Sequence, residues 1–244
     1  MRARQIDCVL FDLDDTLHDD TTAYLTAART AAEMVARERA GTEPQALVDA
    51  YESEVSVFWQ SLTAEHLDRE IAAERVRMWD AALRRIGIED LELARRAAEL
   101  YNGARAGGLA LSPGALDVLT ALRARGCKLG LVTNGFAATH HDKIDRLGLR
   151  DRMDAFFIAD EVGMVKPDPE LFRHACRTLG SEPARSAMVG DRYYRDVVGA
   201  HDAGLFTVLL DVHAIPVPDG GPRPDAVIGS ISEVLDVLSL PAPR

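Results

Sequence analysis

Cysteine is scarce in this chain of 244 residues: Cys8, Cys127 and Cys176 are odd in number and far apart. That excludes a disulfide framework and points to reduced thiols in a cytosol. Also missing is any apolar run of the roughly 18 residues that a membrane helix needs, so no membrane span is expected. Only Met1-Arg2-Ala3-Arg4-Gln5 precede the first apolar stretch, which leaves no room for a signal peptide; a cytoplasmic protein is expected. Basic charge is in short supply. The 28 Lys and Arg stand against 39 Asp and Glu, a net charge of -11 that argues against a nucleic-acid strand as partner. A small phosphorylated substrate survives that argument, because local cations can override the global sign. No internal repeat or low-complexity segment is evident, and neither is a sign of oligomeric state. The 47% hydrophobic content suffices for one large or two modest domains.

The chain is organised around Val9-Leu10-Phe11-Asp12-Leu13-Asp14-Asp15-Thr16-Leu17. The run from Ile6 to Phe11 is short and made of large apolar residues, so it reads as a buried strand. Asp12 and Asp14 then fall at its carboxyl end, where open α/β sheets bind ligands. Two acids spaced in this way can divide labour, one attacking an electrophile and one carrying a proton. A plain Asp-rich turn after a strand fits this stretch equally well.

From about Thr21 to Gly107 there is no convincing strand. Four helices are expected: Thr21 to Ala40, with Tyr24, Leu25, Ala28, Ala32 and Val35 on one face; one opened by Pro44, carrying Leu47, Tyr51, Val55, Phe58 and Trp59; Asp68 to Ile86, with Ile71, Val76, Trp79 and Leu83; and Asp90 to about Arg105. With short connections they fit a small bundle. Most of the aromatics suit its core, while some of Trp59, Arg75, Arg77 and Trp79 are candidates for a cleft. Gly107-Gly108 reads as a hinge, and strands then alternate with helices. Strands are expected at 127–132, 155–159, 186–189, 206–210 and 226–228. Helices follow Ser112-Pro113, Gly135, Asp168-Pro169 and Asp191, and a last helix closes the chain. This predicts an α/β, Rossmann-like parallel sheet with helices on both faces, formed by residues 1–17 and 107–244, with a four-helix-bundle cap inserted as 18–106.

Asp12, Asp14, Thr133, Asn134, Asp191 and Asp196 all follow carboxyl ends of expected strands, which lie along one edge of a parallel sheet. Lys166, in Val165-Lys166-Pro167-Asp168-Pro169, is within reach of the same edge. Taken singly, each has a bland reading as a turn, a helix cap or a surface lysine.

As an ordered set, Asp12-Leu13-Asp14-Asp15-Thr16, Val132-Thr133-Asn134-Gly135, Lys166-Pro167-Asp168-Pro169 and Gly190-Asp191 with Asp196 resemble the haloacid dehalogenase-like hydrolases, in their phosphatase branch with a helical cap. The resemblance implies a small phosphomonoester metabolite as substrate and Mg²⁺ as cofactor. It implies Asp12 as nucleophile, forming an aspartyl-phosphate, and Asp14 as general acid and then base. Thr133, with the backbone amides of Asn134 and beyond, would hold phosphoryl oxygens, and Lys166 would neutralise charge. Asp12, Asp191 and the backbone carbonyl of Asp14 would bind the metal, and Asp196 would stand behind them. The stretch from Val132 to Gly204 leans toward nucleotidases and sugar phosphatases. The alternatives are a 2-haloacid dehalogenase, in which Asp14 and Asp191 would be idle, a phosphomutase, and a non-catalytic binding module.

Overall fold

The computed structural model describes residues 5–242. Met1–Arg4, on which the signal-peptide expectation falls, lie outside the described residues. The chain divides into two compact units, Met1–Asp19 with Ala110–Arg244, and Asp20–Leu109. Among the described residues no helix is long and apolar enough to cross a membrane.

The first unit is built on a six-stranded sheet in the order β3-β2-β1-β4-β5-β6. Its strands are β1 (Cys8–Phe11), β2 (Lys128–Thr133), β3 (Ala155–Ile158), β4 (Ser186–Gly190), β5 (Phe206–Leu210) and β6 (Ala226–Ile228). Every pairing is parallel. β1 is central: Cys8 lies opposite Lys128 on one side and Ser186 on the other. All four of its residues are buried, which is why it reads as an unbroken apolar run and not as an alternation. Side-chain alternation turns Cys8, Leu10, Val132 and Met188 onto α8 (Pro169–Thr178) and α9 (Val198–Ala203). Val9, Phe11, Leu129, Leu131 and Val189 point to the other face and are equally buried. The strand order reverses direction between β1 and β4, so the carboxyl ends of these two strands flank the switch point.

Two starts in this unit differ from expectation. α5 (Ala115–Ala124) begins later than the Ser112-Pro113 signal suggests, because Ser112 O first closes a turn on Ala115 N at 3.0 Å. A short α7 (Ala159–Val162) follows β3, where no helix was expected. α6 (Ala137–Arg146) follows the Thr133-Asn134-Gly135 turn, and a single closing turn, α10 (Val234–Val237), ends the fold.

The second unit holds α1 (Asp20–Glu38), α2 (Pro44–Gln60), α3 (Ile71–Arg85) and α4 (Leu91–Gly107), which share one core. α3 starts at Ile71 and not Asp68, because Ala64–His66 form a separate 3-10 turn. The buried face of α1 holds Ala28, Ala32 and Val35 as expected, but it is centred further toward the alanines. Ala23, Ala27, Ala28, Ala31, Ala32 and Val35 are buried, while Tyr24 and Leu25 are only partly so. Small residues let α4 come close with its own Ala94, Ala97 and Ala98, and that contact selects the face.

Aromatic rings fill the space the alanines leave. Tyr51 stacks on Trp79 at 4.1 Å between centroids, and Tyr101 meets Tyr51 edge-on at 5.2 Å. Trp79 is therefore core and does not face a cleft, contrary to one expectation for it. Arg77 is exposed and paired with Glu74, and Trp59 is half-buried against Phe58. Trp79→Ala should lower unfolding stability by about 3–5 kcal/mol, as emptied aromatic core sites do. Trp79→Phe should cost far less, since it keeps the ring and removes a buried indole N–H that lacks a partner. Equilibrium denaturation tests both; equal losses would mean that ring packing is not what Trp79 supplies.

Candidate active site

β1 hands the chain to Asp12, whose backbone N–H donates to Val189 O of β4 at 3.0 Å. That bond fixes the residue at the switch point and keeps its side chain buried. The chain then turns tightly: Leu13 O accepts from the N–H groups of Thr16, Leu17 and His18, and Asp15 takes a left-handed φ of 57°. Asp tolerates that conformation better than most residues, which accounts for an acid there.

Lys166 Nζ lies 2.7 Å from Asp12 Oδ1 and 2.7 Å from Asp196 Oδ1. All three side chains are almost wholly buried. Burial works to lower the Lys166 ammonium, but the two carboxylates outweigh it and hold it above the ordinary lysine value. Burial likewise pushes Asp12 up to about 6, against the pull of Lys166. Among the described residues nothing donates to Asp12 Oδ2. One oxygen of this carboxylate is thus anchored and the other is left to react.

Asn134 was expected to bind substrate. Its side chain is bonded to the main chain of Lys166: Lys166 N–H donates to Asn134 Oδ1 at 2.7 Å, and Asn134 Nδ2 donates to Lys166 O at 2.9 Å. Its backbone N–H is not used by these bonds. Thr133 closes β2 as a buried hydroxyl on the same edge.

Asp196 comes from a π-helical turn, Tyr193–Val197, and its other oxygen accepts from Arg192 N–H at 2.9 Å. It reaches in over Gly190, where an added Cβ would lie 2.3 Å from Asp196 Oδ2. A side chain at 190 would expel Asp196, so the glycine is needed for close approach.

Asp14 has partners that sequence reasoning missed. Lys143 Nζ donates to Asp14 Oδ1 at 2.6 Å, and His140 Nε2 lies 3.8 Å from Asp14 Oδ2. Both are buried on one face of α6. The His140 ring fills the space beside Gly135, where a Cβ would come within 1.9 Å of it. Their only signal in the sequence is a spacing of three on a polar helix, which any surface helix shares. The two carboxylates expected to divide labour therefore have separate cations, Lys166 for Asp12 and Lys143 for Asp14.

Asp191 follows β4 and is fully buried. Burial raises its pKa, partly countered by the hydrogen bond from His213. Its Oδ2 lies 3.0 Å from His213 Nε2 and 2.8 Å from Arg192 Nε. Its Oδ1 is buried with no hydrogen-bond partner. Carboxylate oxygens of Asp12, Asp191 and Asp196 lie within 4.8 Å of one another. An orphaned carboxylate oxygen in an all-oxygen cluster fits a hard divalent cation. His213 and Arg192 were not foreseen; His213 sits in a Pro/Gly-rich loop that reads as a mere connection.

A family model described as haloacid dehalogenase-like hydrolase matches residues 6–204. A glyceraldehyde 3-phosphate phosphatase of Methanopyrus kandleri is 34% identical over 239 residues, 96% of this chain and 97% of that protein. Among solved structures, magnesium-bound YfnB of Bacillus subtilis has a TM-score of 0.76 at 23% identity, over 96% of this chain and 99% of that one, a likeness of fold. A 2-haloacid dehalogenase of Pseudomonas syringae pv. Tomato has a TM-score of 0.65 at 28% identity, over 96% of this chain and 98% of that one. The matched stretch runs from the strand that carries Asp12 to the helix behind Asp196, and on that ground the chain belongs to the haloacid dehalogenase-like hydrolases.

Proposed function

We propose that this chain is a Mg²⁺-dependent phosphatase acting on a small phosphomonoester through an aspartyl-phosphate. The observation that carries the reading is the pair of differently held carboxylates. Asp12 has one oxygen fixed by Lys166 and the other without a donor, while Asp14 lies beside a second lysine. Asp12 Oδ2 attacks phosphorus, and the bond from phosphorus to the ester oxygen breaks. Asp14 gives its proton to that departing oxygen. Water then attacks the phosphorus of the aspartyl-phosphate, Asp14 takes the proton back, and phosphate leaves with Asp12 restored.

An aspartate attacking a phosphate dianion meets like-charge repulsion. Lys166 offsets part of it, and Thr133 with the N–H groups after it suits the phosphoryl oxygens. Asp12, Asp191 and the Asp14 carbonyl would hold Mg²⁺, which when bound cancels further negative charge on the transferred group. Asp14 and Asp191 also weigh against a dehalogenase, since a halide leaves without a proton and needs no metal carboxylate. The full-length likeness to a triose-phosphate phosphatase supports a small sugar phosphate, with nucleoside 5′-monophosphates next. The inserted helical unit is proposed to choose among them, and 18–106 remains our assignment of it. The three cysteines are buried free thiols, in keeping with a reducing, cytoplasmic setting.

The test is a screen of purified protein with Mg²⁺ against triose, acylneuraminate, glycolate and nucleoside phosphates, with 2-chloropropionate as the dehalogenase substrate. Phosphate release from at least one ester should exceed halide release, and excess EDTA should cut it at least about tenfold. Faster halide release, or turnover undiminished after metal stripping, overturns the reading.

A further inference from the structure

The oxygen of Asp191 that has no partner faces one way because its other oxygen is held. His213 Nε2 lies 3.0 Å from Asp191 Oδ2 and 3.4 Å from Asp15 Oδ2. Asp15 sits in the turn after β1, Asp191 follows β4, and His213 lies between β5 and β6. One imidazole edge therefore ties together the two loops that carry the expected metal ligands. Arg192 reaches the same Asp191 oxygen, but its side chain is 48% exposed against 22% for His213. A long exposed guanidinium is a looser restraint than a ring enclosed by a loop.

A carboxylate can rotate about its bond to Cβ. With Arg192 alone on Oδ2, Asp191 can swing so that either oxygen meets the guanidinium. With His213 in place Oδ2 is held, and Oδ1, buried without a hydrogen-bond partner, is left for a cation. We propose that His213 is a positioning residue for the divalent cation: through an Nε2–H shared by Asp191 and Asp15 it pre-sets the carboxylate that binds the metal. The inference rests on the metal site proposed above. It assigns the loop between β5 and β6 a share in metal affinity, although none of its residues would be a ligand. Partners that orient metal ligands commonly contribute about 10–100-fold in affinity.

The experiment is direct metal binding to the full-length protein, Mn²⁺ by electron paramagnetic resonance and Mg²⁺ by calorimetry, without any turnover. His213→Phe keeps the ring and removes the donor; it should weaken binding by at least about tenfold. His213→Gln places an amide N–H near the same point and should restore most of that loss. His213→Ala is read in the same way should the Phe variant not fold. The melting temperature of metal-free protein should be similar for wild type and the Gln variant, which separates ligand orientation from general loosening. Phe and Ala variants that bind within about threefold of wild type, or a folded Gln variant that recovers nothing, overturn the inference. Asp191→Asn distinguishes the two levels. If it binds Mn²⁺ as tightly as wild type, or if wild type binds none, the metal site itself is wrong and the inference falls with it. If Asp191→Asn loses binding while His213→Phe keeps it, the inference alone fails.

Discussion

Asp12→Asn should fold, bind substrate and turn over at most on the order of 10⁻⁴ as fast as the parent, the scale of loss when a covalent nucleophile is removed. An amide oxygen is a poor nucleophile, and no other carboxylate stands in its place: Asp196 is occupied by Lys166 and by Arg192 N–H. Rapid acid quench followed by intact-protein mass spectrometry should find a phosphorylated adduct in the parent and none in the variant. Stability supplies a second readout with an opposite sign. Burial raises Asp12 to about 6 in the fold, above the ordinary aspartate value, so its ionised form is favoured less in the native state than in the unfolded one. Removing that charge should leave the metal-free melting temperature equal or higher. A variant that retained a tenth of the activity, or an adduct that mapped to another residue, would rule out Asp12 as the nucleophile.

The second large effect depends on the leaving group. Asp14→Asn should slow hydrolysis of alkyl phosphates by about 10²–10⁴-fold, the usual contribution of a positioned acid. It should slow p-nitrophenyl phosphate by less than about tenfold, because that phenolate departs without needing a proton. The comparison is made on kcat/KM across a series of aryl and alkyl esters, where the variant should show a much steeper dependence on leaving-group pKa. Equal losses on both substrates would give Asp14 a structural role, with Lys143 holding it in a framework and not beside a departing oxygen.

The strands and their shared edge were legible because a parallel sheet converts chain order into geometry. An acid that follows a buried run must stand where that strand ends, and the spacings of Asp12, Lys166, Asp191 and Asp196 carried that information. The helical unit was legible as four helices and less so as a set of faces. Small residues do not announce themselves in a hydrophobic stripe, so Tyr24 and Leu25 drew attention while Ala27 and Ala31 made the contact. Trp79 looked as fit for a cleft as for a core, because an aromatic on an amphipathic helix suits either.

Side chains that act through others left the least trace. Lys143 and His140 lie on a helix that is mostly polar, with Ile144 its one large apolar residue, so periodicity does not mark the face that meets Asp14. Asn134 sits in a motif, but its bonds to Lys166 span 32 residues of chain. His213 lies 22 residues beyond its partner, in a segment whose composition predicts only a loop. Periodicity reports what an element buries along its own length. It is silent on hydrogen bonds between one loop and another.

The place of β1 bears on how the chain is made. This strand is synthesised well before both of its neighbours, β2 and β4: Cys8 pairs with Lys128 and Ser186. While the chain leaves the ribosome, an apolar ribbon with both edges bare has nothing to pair with. The Asp20–Leu109 unit emerges meanwhile, and all four of its helices come from one continuous stretch of chain, so it can fold before the sheet is complete. The centre of the sheet is closed only when Ser186–Gly190 arrives, and β2 alone would leave one edge of β1 open. A nascent chain of this protein therefore carries a folded helical unit and an unpaired strand together until β2 and β4 have been made. Chaperones that hold extended apolar segments have their clearest target in β1.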